Sequence, residues 1–517
     1  MDLGKLFNFA VHRFPSKTAI VEGERRLTYK EFNQITNKIA FSLQKHGIKK
    51  GDRVVIILKN RLEMVALYWA IQKLGAVFTP INFRLSTEEV AYCVNNADAK
   101  AVVYEPSSQA AALEGKYEHK PLFISVLGAS GGDVTYEELL DHNQESFDEP
   151  TIHFDDICLM LYTSGTTGKP KGVPRSHKNE YSAATAHIIQ NKYVLHESTL
   201  GVMPLYHTMG MRSLLSMTFL NGKLCMIPDN DTLTMLKVME EEEVSCVYLV
   251  PTIIHDLLHH KNFDTFNLLS LRKIGYAGAS MTSELTKEVI SKLKPEVFVN
   301  HYGSTEVYTF TICDYLDKKP GCAGKAGFHQ QLRLVTPDPD GNSTPDDIIP
   351  NGTPGEIIIN IDSIEAFKGY WNRPDANKKS IRNGWYFTGD MGVLDEDGDL
   401  YVVGRVDDMI ISGGENIHPL EVEDVIASHP NVLEVAVAGI PDERFGEKVV
   451  AFVVSKGERL TTEELDSFCK QSSQLANFKR PREYKFIKEI PKSPVGKILR
   501  RKLKENYQTF KIEESVL

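Results

Sequence analysis

The run Tyr162-Thr-Ser-Gly-Thr-Thr-Gly-Lys-Pro-Lys-Gly172 sets hydroxyls, glycines and two lysines directly behind an apolar segment, Ile157-Cys-Leu-Met-Leu-Tyr162. Residues of these types at this spacing can surround an oxyanion. Glycine supplies turn angles and removes the side chain that would block approach, while N–H groups, hydroxyls and ammonium groups face the charge. A nucleoside triphosphate is the ligand such a loop suggests. The loop is not of the Walker type, because Gly165 precedes Gly168-Lys169 by three positions and Pro170 stands where a magnesium-binding hydroxyl belongs. Proline there also interrupts the helix whose N-terminal dipole would help hold phosphates. Further runs that could carry chemistry follow: PLYHTMG at 204–210, YGSTE at 302–306, Gly355-Glu356, WYFTGD at 385–390, GRVDDMIISGGENI at 404–417 and PKSPVGKILR at 491–500. Glu306 offers a hard oxygen ligand of the kind magnesium prefers. Asp390 offers a carboxylate that can accept hydrogen bonds from the vicinal hydroxyls of a ribose.

The elements that must position these residues alternate from Thr28 onward. Thr28 and Glu31 have capping-box spacing, and Phe32, Ile35, Ile39 and Leu43 then share one helical face before Gly47. Val54-Val-Ile-Ile-Leu58 suits a strand buried on both faces. A helix over 64–74, a strand at 76–79, a second box at Ser86 and Glu89 and a strand at 101–104 continue the pattern, which predicts right-handed crossovers and a largely parallel sheet. After a polar interval at about 106–150, strands are expected at 157–162, 199–203, 244–250, 271–276 and 297–301. The phosphate loop, Pro204 to Gly210, Ala277 to Ser280 and Tyr302 to Glu306 each follow a strand, and open α/β sheets bind ligands at the carboxyl ends of their strands. The fold class expected is α/β: a large N-terminal domain of two mostly parallel sheets flanked by helices, over 1–405, and a small mobile α+β C-terminal domain over 406–517. In the second domain, helices over 419–427 and 462–475, strands near 433–438, 449–454 and 484–490, and a last helix from Gly496 are predicted.

At 517 residues the chain exceeds the size at which one hydrophobic core stops growing. A net charge of −10 argues against nucleic acid as a partner. Cysteines at 93, 158, 225, 246, 313, 322 and 469 show no C-x-x-C pair, a pattern of a reduced cytoplasmic protein without structural zinc. No apolar run approaches the roughly 20 residues that span a bilayer, so no transmembrane segment is expected. The final Ser515-Val-Leu517 lacks the basic middle residue of a peroxisomal tripeptide.

Taken in order along nearly the whole chain, these motifs resemble the signatures of the adenylate-forming (AMP-binding) enzymes, on the acyl-CoA synthetase and aryl-CoA ligase branch. The resemblance implies an ATP-dependent acid–CoA ligase that forms an acyl-adenylate, releases pyrophosphate and transfers the acyl group to the thiol of coenzyme A. ATP, Mg2+ and coenzyme A are the cofactors and co-substrates it implies. Thr163, Ser164, Gly165, Thr166, Thr167 and Lys169 would grip the phosphates, with Lys171 beside them. Ala277, Gly278, Ala279, Tyr302, Gly303, Ser304 and Thr305 would surround the nucleotide, Tyr302 stacking on adenine and Thr305 lying near the α-phosphate. Glu306 would hold magnesium, and Asp390 the ribose, with Arg405 assisting. Lys497 would bridge the substrate carboxylate and the α-phosphate. Because that lysine must later make room for a thiol, the small domain would rotate about Asp407 and bring Gly413 and Gly414 toward the site, leaving space for a pantetheine arm. His207 would lie near the carboxylate in a binding or gating role, completing a catalytic set with Lys497 and Arg405.

An acyl pocket is expected from His207, Met211, Thr252, Tyr276, Gly278 and Thr309, within segments that are mostly apolar, aromatic or small. With no acidic partner there for an α-amino group, a hydrophobic organic acid, fatty or aromatic, fits better than an amino acid. The alternative is a free-standing adenylation enzyme that loads the phosphopantetheine thiol of a carrier protein. A luciferase-like oxygenase would share the adenylation motifs, and a scaffold with a degenerate site would lack Lys497, Glu306 or Asp390. The partners expected are the acid, ATP and coenzyme A, with a homodimer left open.

Overall fold

The computed structural model describes residues 2–163, 169–338, 341–413, 415–457, 460–472, 475–492 and 498–508. Both capping boxes form. The Thr28 N–H donates to Glu31 at 2.8 Å and the Glu31 N–H donates to Thr28 Oγ1 at 3.2 Å, opening the helix Tyr29–Lys45. Ser86 and Glu89 do the same for Thr87–Ala97. The strand Arg53–Ile57 lies at the centre of a seven-stranded sheet, and Val54 to Ile57 have no solvent exposure, as a strand covered on both faces requires. The sheet runs Val134–Thr135, Leu122–Ser125, Ala99–Tyr104, Arg53–Ile57, Val77–Pro80, Ile157–Thr163 and Lys171–Ser176. Neighbours are parallel except the last two, which form an antiparallel hairpin.

A nine-stranded sheet carries the strands that lead into Pro204 to Gly210, Ala277 to Ser280 and the YGSTE turn. Its parallel core is Lys223–Met226, Ser198–Gly201, Cys246–Leu249, Lys273–Ala277 and Val297–Tyr302. Thr18–Glu22 and Arg25–Thr28 extend one edge, and Thr311–Cys313 and Lys325–Ala326 extend the other antiparallel.

Within the polar interval at 106–150, to which the sequence pattern assigns no element, Leu122–Ser125 pairs in parallel with Ala99–Tyr104; a four-residue strand inside a polar stretch leaves little periodicity to read. One expectation needs correction for the N-terminal region, which contains three sheets rather than two. Leu332–Val335, Gly355–Asn360, Trp385–Leu394, Ile381–Arg382 and Leu400–Arg405 form a separate antiparallel sheet with its own packing around Val335, Ile358, Trp385 and Phe387. Its strands are joined by turns and the short helix Pro374–Ser380, so the strand–helix–strand pattern that marks parallel sheets is missing.

Beyond the turn Val406–Asp408, Glu415–Ile417, Ile410–Ser412, Gly446–Ser455 and Val432–Asp442 make a second small sheet, with Glu483–Phe486 alongside Gly446–Ser455. The helices Pro419–Ala427 and Thr462–Gln471 cover it, and Ile417, Val422, Ile426, Val437, Ala451 and Leu465 form a core of their own. The last described helix is Arg500–Glu505, which begins later than expected: Gly496 lies outside the described residues, but Ile498 forms an isolated bridge with Lys492 and Leu499 precedes the helix in a non-helical conformation. Among the described residues no helix is long and apolar enough to cross a membrane.

Candidate active site

The phosphate loop connects a β-hairpin, with Thr163 and Lys171 opposed across its mouth. Ser164, Gly165, Thr166 and Thr167 lie outside the described residues. Of the flanking groups, Thr163 is half-buried and Lys169 is exposed, its Nζ 5.6 Å from the Tyr92 ring centroid. Lys171 is held more firmly: its Nζ sits 4.2 Å from the Tyr370 ring centroid. Burial lowers the pKa of Lys171, and the nearby negative charge of Glu306 opposes that shift.

The YGSTE turn follows the strand Val297–Tyr302. It folds back so tightly that a Cβ on Gly303 would meet the Tyr308 carbonyl oxygen at 1.6 Å, so only glycine fits. Ser304 Oγ accepts the Glu306 N–H at 3.3 Å, and Thr305 is half-buried beside it. Glu306 is 5% exposed; its Oε1 accepts the Tyr370 hydroxyl at 2.7 Å. One tyrosine therefore touches both the candidate metal carboxylate and the phosphate-loop lysine. The backbone agrees, since the Trp371 N–H donates to Gly172 O at 2.8 Å and the Phe367 N–H to Glu306 O at 2.8 Å. A buried carboxylate with one oxygen bound by a neutral hydroxyl keeps acceptor capacity for a hard cation, so Glu306 fits magnesium.

Asp390 and Arg405 face each other across paired strands, and Arg405 Nη1 donates to Asp390 Oδ1 at 2.6 Å. The Tyr302 hydroxyl donates to Asp390 Oδ2 at 2.7 Å. Tyr302, expected as an adenine platform, is thus also tied to Asp390, the carboxylate expected at the ribose, and its half-buried ring meets Phe310 edge-on at 5.3 Å. Gly389 takes a φ of +72°, and Glu356 Oε1 accepts its N–H at 3.1 Å, which gives the Gly355-Glu356 motif a task in holding this turn. Asp407 is exposed in the single turn Val406–Asp408 directly after Arg405. Gly413 is exposed at a φ of +61°, and its N–H donates to Phe445 O at 2.8 Å. Gly414 and Lys497 lie outside the described residues.

His207 caps the helix Thr208–Phe219, its Nδ1 accepting the Met209 N–H at 3.5 Å. Burial pushes its pKa down to about 4, so the imidazole is neutral near pH 7. Met211 and Tyr276 have no solvent exposure and pack into two different cores. Thr309 is 1% exposed and accepts from Arg212 Nη1 at 2.6 Å. Ala277 is buried, whereas Gly278, at a φ of +89°, and Ala279 are exposed. Thr252 is exposed and lines a cavity of about 160 Å³ with Met203, Pro204, Met235 and Asp256. Tyr370 and Arg175 escape the sequence, because neither lies in a recognisable motif and each reaches Glu306 across more than sixty positions; Tyr308 falls in the segment 307–310 expected along the acyl pocket, but its hydroxyl donates to the buried Glu180.

Residues 7–371 match the family of AMP-binding enzymes, and 421–497 match the C-terminal domain of the same enzymes. The chain belongs to the AMP-binding enzyme family. It is 32% identical over 496 residues to the 2-succinylbenzoate–CoA ligase of Bacillus cereus (strain Q1), covering 95% of this chain and 96% of the relative. It is 33% identical over 489 residues to the long-chain-fatty-acid–CoA ligase FadD13 of Mycobacterium tuberculosis (strain CDC 1551 / Oshkosh), covering 93% of each. Its fold is similar to that of the Bacillus subtilis O-succinylbenzoate coenzyme A synthetase solved with ATP and a magnesium ion, with a TM-score of 0.84, 28% identity and coverage of 96% and 99% of the two chains. This AMP-binding enzyme is an ATP-dependent, AMP-forming acid–thiol ligase. It makes an acyl-adenylate and transfers the acyl group to coenzyme A, with Mg2+ as cofactor.

Proposed function

We propose that this AMP-binding enzyme activates a hydrophobic organic acid, fatty or aromatic, at the crevice between the phosphate hairpin, the YGSTE turn and the Asp390–Arg405 strand pair. The observation that carries the reading is Tyr370, whose hydroxyl binds Glu306 and whose ring faces Lys171. Side chains from separate motifs meet there as triphosphate recognition requires. Lys171, Lys169 and the hydroxyls of the loop offset the repulsion between a carboxylate and a triphosphate. Glu306 holds magnesium, which when bound neutralises phosphate charge. Asp390, oriented by Arg405 and Tyr302, accepts the ribose hydroxyls and so aligns the α-phosphorus.

In the first step the acid carboxylate oxygen bonds to the α-phosphorus and the bond to pyrophosphate breaks, with Lys497 stabilising the charge that gathers there. In the second, the thiol sulfur bonds to the acyl carbon, AMP departs with the carboxylate oxygen, and the thiol proton passes to solvent. Residues 1–405 form the unit that binds nucleotide and acid, and 406–517 the mobile unit. The separate cores on either side of Val406–Asp408 and the exposure of Asp407 support a pivot there. His207, neutral and engaged in capping its helix, serves the carboxylate by position rather than as a base.

A hydrophobic acid is supported by the apolar and small residues at the strand ends and by relatives named for 2-succinylbenzoate and for long-chain fatty acids. The cytoplasm is the proposed compartment, given seven buried, unpaired cysteines. A panel of acetate, medium and long fatty acids, benzoates and cinnamates, scored by pyrophosphate release and then by CoA thioester, tests the reading. Release with hydrophobic acids is expected; release confined to amino acids, or thioester formed on a carrier protein and not on coenzyme A, would overturn it.

A further inference from the structure

Beneath the YGSTE turn the core holds two arginines almost without solvent access, which a protein interior accepts only when they are paired. Arg175 is fully buried; Nε donates to Glu180 Oε1 at 2.9 Å and Nη1 donates to the backbone oxygen of Glu306 at 3.1 Å. Arg212 is 3% exposed, with Nη1 on Thr309 Oγ1 at 2.6 Å and Nη2 3.7 Å from Glu365 Oε2. Both lie against the Tyr308 ring, their guanidinium carbons 3.8 and 4.9 Å from its centroid. The Tyr308 hydroxyl donates to Glu180 Oε2 at 3.0 Å, so Glu180 holds Arg175 with one oxygen and Tyr308 with the other.

Tyr308 is also where the backbone is strained. Its φ of +74° falls in the left-handed region, which a bulky side chain enters only when its surroundings over-determine it. Its N–H donates to Ser304 O at 2.7 Å, and its carbonyl closes onto Gly303. The buried cluster therefore grips the turn at both ends of the segment that presents Ser304, Thr305 and Glu306. No step of the chemistry requires Arg175 or Tyr308 to touch a substrate.

We propose that Arg175 and Tyr308 are positioning residues for the ATP half-reaction: through the Glu306 carbonyl and the turn at 308 they hold the Glu306 carboxylate where magnesium binds. The inference rests on the reading of Glu306 as a magnesium ligand. The thiol-transfer half-reaction, which consumes no triphosphate, does not depend on them. Groups that orient metal ligands typically cost about 10- to 100-fold in metal affinity or activity when removed.

The test uses the full-length enzyme and reads three quantities: the Mg2+ concentration for half-maximal pyrophosphate release at saturating ATP and acid, the rate of thioester formation from supplied acyl-adenylate, and Tm. Tyr308→Leu keeps apolar volume and removes the aromatic face and the hydroxyl. The pair Arg175→Met with Glu180→Gln removes both buried charges together, avoiding an unpaired one. Both should raise the Mg2+ requirement about 10-fold or more and leave thioester formation from acyl-adenylate within about twofold. Glu306→Gln should shift the Mg2+ requirement in the same direction. If Glu306→Gln shifts it and the other two variants do not, the positioning role is wrong and the metal ligand stands. If Glu306→Gln leaves it unchanged, the metal reading itself fails. Equal loss of both half-reactions with a fall in Tm would show that the cluster only holds the fold, and would overturn the proposal; should the paired variant not fold, Tyr308→Leu decides.

Discussion

Replacing Asp390 by asparagine keeps the shape of the side chain and removes the acceptors that the account assigns to the ribose. An ionised carboxylate offers about four lone-pair sites. Arg405 Nη1, at 2.6 Å, and the Tyr302 hydroxyl, at 2.7 Å, occupy one on each oxygen, which leaves one on each for vicinal hydroxyls. In asparagine the carbonyl oxygen keeps one resident donor and the NH2 group faces the other, so neither position offers the ribose hydroxyls a charged acceptor. Hydrogen bonds to a charged acceptor contribute about 1.5–3 kcal/mol each, so two lost bonds give at least about 3 kcal/mol, or roughly 150-fold in kcat/KM for ATP. The fold should hold, because Asp390 and Arg405 remain 18% and 24% exposed and a wetted ion pair contributes at most about 1 kcal/mol. The assay is pyrophosphate release at saturating acid, run with ATP and with 2′,3′-dideoxy-ATP. Wild type should discriminate against the dideoxy analogue by about 100-fold, and Asp390→Asn should hardly discriminate at all. If the variant rejects the analogue as strongly as wild type does, Asp390 does not touch the ribose.

Three further outcomes follow from the same geometry. Asp407→Pro sets φ within the turn Val406–Asp408 and restricts Val406, so it should preserve one half-reaction and abolish the other; retention of both would remove the pivot from this position. Lys497→Ala should lose acid-dependent pyrophosphate release by about 100-fold or more yet retain thioester formation from supplied acyl-adenylate, and equal loss of both would contradict the exchange of roles between domains. Burial pushes the pKa values of His177 and His207 from 6.5 down to about 4, so the folded enzyme binds fewer protons than the unfolded chain between those values. Stability is then complete above about pH 6.5 and falls as pH drops toward 4. His177 Nδ1 accepts the Leu3 N–H at 3.2 Å, so His177→Gln, which keeps an acceptor, should flatten the loss of Tm between pH 7 and 5; an unchanged slope would show that this histidine does not carry it.

What could be read before folding was what is local. Thr28 with Glu31 and Ser86 with Glu89 close their helices within four residues, so spacing alone announces them. The helix Pro419–Ala427 begins and ends where its proline and apolar stripe place it. Pairing was less legible. Thr18–Glu22 joins Lys223–Met226 from two hundred positions away, and Leu122–Ser125 is too short to show a period. The site divides the same way. Asp390, Arg405 and Glu306 stand in motifs, whereas Tyr370, which joins Glu306 to Lys171, follows Lys368-Gly369 in an unremarkable loop. Arg175 reads as a surface cation after Pro174, and only the fold reveals that it is buried and bound to the Glu306 carbonyl 131 positions later.

The most direct test of the central claim is exchange of labelled pyrophosphate into ATP in the presence of a hydrophobic acid and the absence of coenzyme A, with the nucleotide products resolved when coenzyme A is added. Acid-dependent exchange without thiol, followed by AMP and thioester in equal amounts, is the expected result. ADP and inorganic phosphate as products, or exchange that appears only once coenzyme A is present, would contradict an acyl-adenylate formed at this crevice.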